Sequence, residues 1–299
     1  VQQLQLAKAV SPLALTHTAE EYGIGKTLKN PLTSFMLAIT AGVFIAIGFT
    51  FYITVTIGSG ASSYGLVKFI GGVAFSLGLM LVIITGAELF TSTVLTSVGY
   101  ASKKIGTIDM LRTWTTVYLG NFVGALLFVA LIFAGKVYMQ AGGDWGVNAM
   151  KIAQHKLHHS FGEAVALGIL CNMLVCLAVW LSFSCHSMLE KALIIILPVA
   201  MFVAAGFEHC VANMFMIPIG IAIQSFAGAE FWHVAGVNAS QFADLNLYNF
   251  LVKNLIPVTL GNIIGGAVMI GFTYWFIHLR PLQKKQEEAE AQLAAEPAE

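Results

Sequence analysis

Two apolar stretches of this chain are too long to be single membrane helices, and each is interrupted at the same relative place by the same short motif. Between Phe69 and Leu95 the only Asp, Glu, His, Lys or Arg is Glu88, in Gly86-Ala87-Glu88, and none follows before Lys103. Between Ala192 and Ala229 the only ones are Glu208 and His209, in Gly206-Phe207-Glu208-His209. A membrane helix needs roughly 20 residues, so each stretch has chain left over after one crossing. Matched Gly-interrupted segments in two halves of a chain are the best sequence pointer to a transport site near the midplane. A charge inside a membrane is costly and marks function by default. Glu88 and Glu208 nevertheless read most simply as acids that bond backbone groups freed at a helix break. His209 reads as functional.

Charged residues make up 10% of the chain and hydrophobic ones 58%, against roughly 25% charged in soluble domains. The class is therefore an integral all-α membrane protein. The apolar runs are continuous rather than alternating, which excludes an outer-membrane barrel pattern. The net charge is +0, so there is no broad basic surface for nucleic acid. Cys171, Cys176, Cys185 and Cys210 lie in apolar segments without a C-x-x-C pair and read as small core residues. The N-terminal 30 residues are polar and lack a signal-peptide pattern.

Six crossings are expected, at about Pro31–Gly58, Leu66–Ser102, Met110–Tyr138, Ser160–Cys185, Leu189–Gln224 and Phe250–His278, the second and fifth being broken. This divides the chain into a cytoplasmic segment 1–30, a channel domain 31–279 and a cytoplasmic tail 280–299. Lys8, Lys26, Lys29, Lys103, Lys104, Arg112, Lys191, Arg280, Lys284 and Lys285 share one side if both termini are inside. Fewer basic residues, Lys68, Lys136, Lys151, Lys156 and Lys253, fall on the other, which supports that orientation. The halves echo each other. Ala38-Ile39-x-x-Gly42-Val43 matches Ala164-Val165-x-x-Gly168-Ile169, Gly86-x-Glu matches Gly206-x-Glu, and Gly120-Asn121-x-x-Gly124 matches Gly261-Asn262-x-x-Gly265. With three spans per half, the second half enters the membrane upside down, as an inverted repeat. Two longer external loops are expected, Val137–His159 with His155, Lys156, His158 and His159, and Ser225–Asn249. The tail after Pro281 reads as solvated.

Half-helix N-termini at a break carry partial positive charge and free donors, a ready anion site. Thr91 follows the first break and, by the repeat, faces His209. Histidine near neutral pH can be donor, cation or proton carrier. The pair suits a small planar anion or its neutral acid. Asn121, Asn172 and Asn262 are expected to hold the interruptions in place, whereas Asn213, one turn from His209, is expected to face the path. Phe75 and Leu79 are also one turn apart, a spacing that fits plain packing as well as gating. Glu208, His209 and Cys210 are consecutive and point apart, so no metal site is expected there. A second deep histidine for haem, an H-E-x-x-H and a P-loop are all missing. No cofactor is expected, and a passive channel or secondary transporter remains.

These residues resemble the formate/nitrite transporter family. The resemblance rests on Pro31-Leu32-x-x-Phe35, Gly86-Ala87-Glu88-Leu89-Phe90-Thr91-Ser92 and Gly120-Asn121. In the second half it rests on Pro198-Val199-Ala200-Met201-Phe202, on Phe207 through Met216 and on Gly261-Asn262. Glu88 stands where an Asp is expected in near relatives. The resemblance implies an aquaporin-like fold, a homopentamer in the bacterial inner membrane, and a pH-dependent path for formate in each protomer. It implies that His209 and Thr91 form the central site. It also implies constrictions at Phe75 and Phe202 outside and at Leu79, Leu89 and Phe90 inside, with Val175 beside them and Lys156 at the outer vestibule. The segment Ala7–Lys29 would close the inner mouth. Nitrite or hydrosulfide transport is the nearest rival, with a neutral-solute pore behind it.

Overall fold

Backbone groups in lipid find no water to bond, so long apolar segments become helices whose hydrogen bonds are internal. The computed structural model describes residues 10–295 and contains no strand among them. Five helices are long and apolar enough to cross a membrane. They are α2 (Pro31–Val55), α3 (Tyr64–Thr85), α6 (Thr107–Ala134), α8 (Phe161–Ser182) and a terminal helix, Asn249–Leu293. The second interrupted run is divided into α9 (Met188–Ala204) and α10 (Cys210–Phe226), of 17 residues each. A short helix, α11 (Ala229–Ala235), follows α10 at a bend of 107°. The first interrupted run continues past α3 into two short helices, α4 (Phe90–Thr93) and α5 (Thr96–Ala101). The chain is thus an all-α, multi-span membrane protein with five to six apolar crossings.

Small residues set the helix spacing. A Cβ added at Gly124 would lie 2.0 Å from the Ile39 carbonyl oxygen, and one at Gly265 would lie 2.3 Å from that of Ile169. Such contacts let α6 lie directly on α2, and the terminal helix directly on α8. These contacts correct the expected register. Asn121 bonds the carbonyl of Ala38 and Asn262 bonds that of Gly168, so Ala38 is matched by Gly168 and not by Ala164. The sequence echo lies one helical turn out because small residues recur every turn along such faces.

Two segments expected as loops contain helices, and the tail is helical as well. The stretch Val137–His159 contains α7 (Asp144–Leu157), which buries Trp145, Ala149, Met150, Ala153 and Leu157. That spacing is helical, with one face on the core and the other polar. The loop Ser225–Asn249 contains α11. The tail is not separate from the last crossing, which runs on helically to Ala295 and has wide π turns at Asn249–Leu255, Ile264–Phe272 and Trp275–Leu279.

A helix α1 (Pro12–Thr27) precedes the crossings and is capped by Ser11, whose side chain accepts from the Ala14 N–H. It rests on α5, with Gly23 pressed against the Thr96 backbone. Glu20 of α1 pairs with Lys104 at 2.7 Å. Ala7 and Lys8, assigned above to the segment at the inner mouth, lie outside the described residues.

Candidate transport site

Each break is built in the same way. α3 ends at Gly86 and α9 is followed by Gly206, both at φ 73°, where a side chain would be strained. The next N–H turns back on the helix: Ala87 donates to the Val82 carbonyl (3.0 Å) and Phe207 to that of Phe202 (2.9 Å). The N–H of Glu88 then bonds the Leu37 carbonyl, and that of Glu208 bonds the Leu167 carbonyl. One asparagine closes each break. Asn121 accepts from the Phe90 N–H and donates to the Ala38 and Glu88 carbonyls, each at 2.8 Å. Asn262 accepts from the Cys210 N–H (2.9 Å) and donates to the Gly168 and Glu208 carbonyls (2.8 and 2.9 Å). Asn172 joins the breaks by donating to the carbonyls of Thr91 (3.0 Å) and Asn262 (2.6 Å).

This bonding corrects one expectation. The N–H groups of Phe90, Cys210 and Ala212 are already bonded within the protein, so the helix starts leave fewer donors for an anion than the sequence suggested. The polar point that remains is His209 with Thr91. His209 is the N-cap of α10, its Nδ1 accepting from the Ala212 N–H at 3.0 Å. In the neutral ring the proton therefore sits on Nε2. That nitrogen lies 3.0 Å from the Thr91 hydroxyl, which is buried completely. Nε2–H donates, and the Thr91 hydroxyl hydrogen is left available to another acceptor.

One cavity reaches His209, and a second reaches Ser92, the residue after Thr91. One, of about 520 Å³, is lined by Phe49, Tyr52, Lys68, Phe75, Lys156, Phe202, Glu208 and His209, among others. The other, of about 220 Å³, is lined by Tyr22, Lys26, Lys29, Val82, Gly86, Glu88, Ser92 and Val179, among others. Phe75 meets Phe202 edge-on at 5.8 Å, and Phe202 stacks on His209 at 6.0 Å. Leu79, Leu89 and Val175 are buried and line neither cavity. Phe90 packs edge-on against Tyr118 (4.8 Å) and Trp114 (6.4 Å) of α6.

The two acids differ in what satisfies them. Glu88 is held by Lys26 of α1 and by Lys29, just beyond it. Glu208 accepts from Lys156 at 2.9 Å, from Asn213 at 2.6 Å and from Asn254 at 3.2 Å. Two expectations change accordingly. Asn213 is turned to Glu208 and Asn254, not toward the path, because a buried carboxylate needs donors more than the path does. Lys156 does line the larger cavity, but it is a buried ion-pair partner, 9% exposed, and not a free vestibule charge. Sequence reasoning did not find Asn254 or the roles of Lys26 and Lys29. An asparagine within the last apolar span was a usable signal for the first. Nothing local connects Lys26 to an acid 62 residues away.

The formate/nitrite transporter profile matches residues 14–276. The formate channel FocA of Escherichia coli strain K12 is 55% identical over 269 residues, covering 90% of this chain and 94% of that protein. Formate channel FocA of Haemophilus influenzae is 51% identical, over 88% of this chain and 93% of its own length. A solved structure described as a pentameric formate channel with formate bound has 55% sequence identity and a TM-score of 0.80. The match covers 84% of this chain and 98% of that one. A structure described as an ion channel of the same family matches with a TM-score of 0.73 at 26% identity, over 88% of this chain and 98% of that one. The chain belongs to the formate/nitrite transporter family.

Proposed function

We propose that the protein is a formate channel of the bacterial inner membrane, a transporter and not an enzyme, with six crossings in two inverted, aquaporin-like three-helix repeats. Both termini lie in the cytoplasm, and five copies form a ring with one path per protomer. The observation that carries this reading is the buried His209–Thr91 pair, with one cavity reaching His209 and a second reaching Ser92 beside Thr91. An apolar path makes an unpaired carboxylate costly. The Thr91 hydroxyl, oriented by the Nε2–H of His209, offers its hydrogen to a carboxylate oxygen, which lowers that cost. A proton passed to formate from the imidazolium form of His209, which is left neutral and is recharged from the cavity, lowers it further. The chain then moves formic acid past Phe75 and Phe202 on one side and Leu79, Leu89, Phe90 and Val175 on the other. Likeness over nearly the whole chain to proteins named as formate channels supports the choice of formate over nitrite or hydrosulfide. Asn121, Asn172, Asn262, Glu88 and Glu208 keep the breaks in place, and Asn213 acts through Glu208.

α1 and Lys29 form the wall of the smaller cavity and bring their lysines to Glu88. In this reading α1 closes the cytoplasmic mouth, and its removal opens it.

The test is uptake into proteoliposomes of formate, nitrite, hydrosulfide and glycerol at pH 5.5 and 7.5. Formate uptake that exceeds the others and changes with pH is expected. Preference for nitrite or hydrosulfide moves the protein to another branch of the family. Equal passage of glycerol would replace the anion mechanism with a neutral-solute pore.

A further inference from the structure

The large cavity contains a histidine that the central site does not use. His159 follows α7, and its Nε2 is buried without a hydrogen-bond partner. That nitrogen lies 3.8 Å from Oε1 of Glu208, the same oxygen that accepts from Lys156 at 2.9 Å. The other oxygen of Glu208 is occupied by Asn213 and Asn254. Glu208 is 1% exposed, and its present donors all come from the protein. Oε1 therefore has one strong donor and one idle nitrogen within reach of a small side-chain rotation.

We propose that His159 is a proton-operated positioning residue that, once charged, competes with Lys156 for Glu208 and so sets how much positive charge the cavity presents to an incoming anion. The proposal rests on the reading of the chain as a formate channel. In the neutral form His159 adds no charge, and Lys156 is neutralised by Glu208. In the protonated form Nε2–H is a charged donor aimed at Oε1. The carboxylate is then shared between two cations, and the cavity gains one unit of positive charge. An apolar-walled cleft concentrates counter-ions by its field, so acidification on this side strengthens capture of the anion before it reaches His209.

The charges around His159 are mixed. Glu208, from the second break, and Glu163, at the start of α8, are the acids near it. The basic groups that line the same cavity are Lys151, His155 and Lys156 of α7 and Lys68 of α3. His155 meets His159 edge-on at 5.4 Å. Burial holds His155 below the usual histidine value, with His159, Lys156 and Lys68 acting the same way. His158 is bonded to Asp244 at 2.8 Å, away from Glu208. Of the three neighbouring histidines, His159 alone has both an idle nitrogen and an acid to receive it.

The experiment is initial-rate formate uptake into proteoliposomes over a range of concentrations, with the pH on the α7 side varied from 7.5 to 5.5 at low and high salt. For the unaltered protein KM is expected to fall about threefold to tenfold on acidification at low salt, and less at high salt, where screening weakens the cavity field. His159→Gln should keep the high-pH KM throughout while retaining the pH dependence of kcat that belongs to His209. His159→Lys, a permanent cation, should show the low-pH KM at both pH values. Size-exclusion elution of each variant is compared with the parent to establish that assembly is intact. A wild-type KM profile in His159→Gln, or a His159→Lys protein that does not hold the low KM, overturns the role of His159 while leaving formate transport standing. An unaltered protein that does not transport formate overturns both readings.

Discussion

The side chain of His209 has two tasks that separate at its two nitrogens. Nδ1 caps α10 by accepting from Ala212, and Nε2 faces Thr91. A variant that keeps one task isolates the other. His209→Asn can still accept at the cap, whereas His209→Ala cannot. His209→Ala is expected to be less stable than His209→Asn by about 1 kcal/mol, the usual value of an N-cap. Both should lose the pH dependence of the maximal formate rate, because neither carries an imidazole. Thermal unfolding in detergent reads the first difference and proteoliposome uptake the second. If His209→Asn kept the parental pH profile of kcat, the imidazole would not be the titrating group. Lys156 calls for a different prediction. Replacing it with Met leaves Glu208 buried without its charged partner, a loss of about 3–5 kcal/mol. Lys156→Met combined with Glu208→Gln removes both charges and should regain most of that stability. A single Lys156→Met protein as stable as its parent would show that the ion pair is not structural.

Among the elements, α1 differs from the crossings in how it is held. Beside the packing of Ala19 and Tyr22, it makes polar and charged contacts: Glu20 to Lys104, Tyr22 to Ser92, and Lys26 to Glu88, with Lys29 beside them. Glu208, by contrast, is satisfied wholly by the crossings and by α7. The two breaks share a backbone design, yet only the first depends on a segment able to leave without tearing a span. On the proposal that α1 closes the cytoplasmic mouth, and does so more fully in acid, removing the chain before Asn30 should leave transport and weaken that closure. Glu88→Gln in the full-length protein should weaken it in the same direction, because the neutral amide loses the charge attraction to both lysines. Uptake rates at pH 5.5 and 7.5 measure both variants. Unchanged shut-off in the truncated protein would take α1 out of the mechanism.

At the scale of the whole molecule, many large apolar side chains remain exposed on a single copy, among them Leu119, Leu127, Leu131 and Leu197. Lipid and neighbouring subunits are the surfaces able to cover them. The expected assembly is a ring of five, with a mass close to five times 32.1 kDa plus bound lipid and detergent. Native mass spectrometry or light scattering of the purified complex checks the number. His209→Ala should leave it unchanged, because His209 is buried inside one protomer. A monomer that still conducts formate would refute the pentamer and spare the site.

Much of this was already legible in the chain because a membrane imposes a simple code. Charge is so costly in lipid that apolar runs mark the crossings, and a lone Glu or His within them marks a break or a site. The two breaks, the pairing of Thr91 with His209, and the supporting parts of Asn172 and Asn262 could be read in this way. What the chain could not reveal were choices made by partners far apart in sequence. Asn213 could have faced the path or a carboxylate, and only the packing of α10 against Asn254 and Glu208 decided it. Lys156 read as a vestibule charge until α7 folded as a helix and brought it to Glu208. The repeat register depended on which small residues touch, and small residues recur on every turn. Hydrophobicity is a local property and sums along a segment, so a linear reading recovers the spans. Pairing of buried polar groups is a three-dimensional competition for few donors and acceptors, and only the folded arrangement settles it.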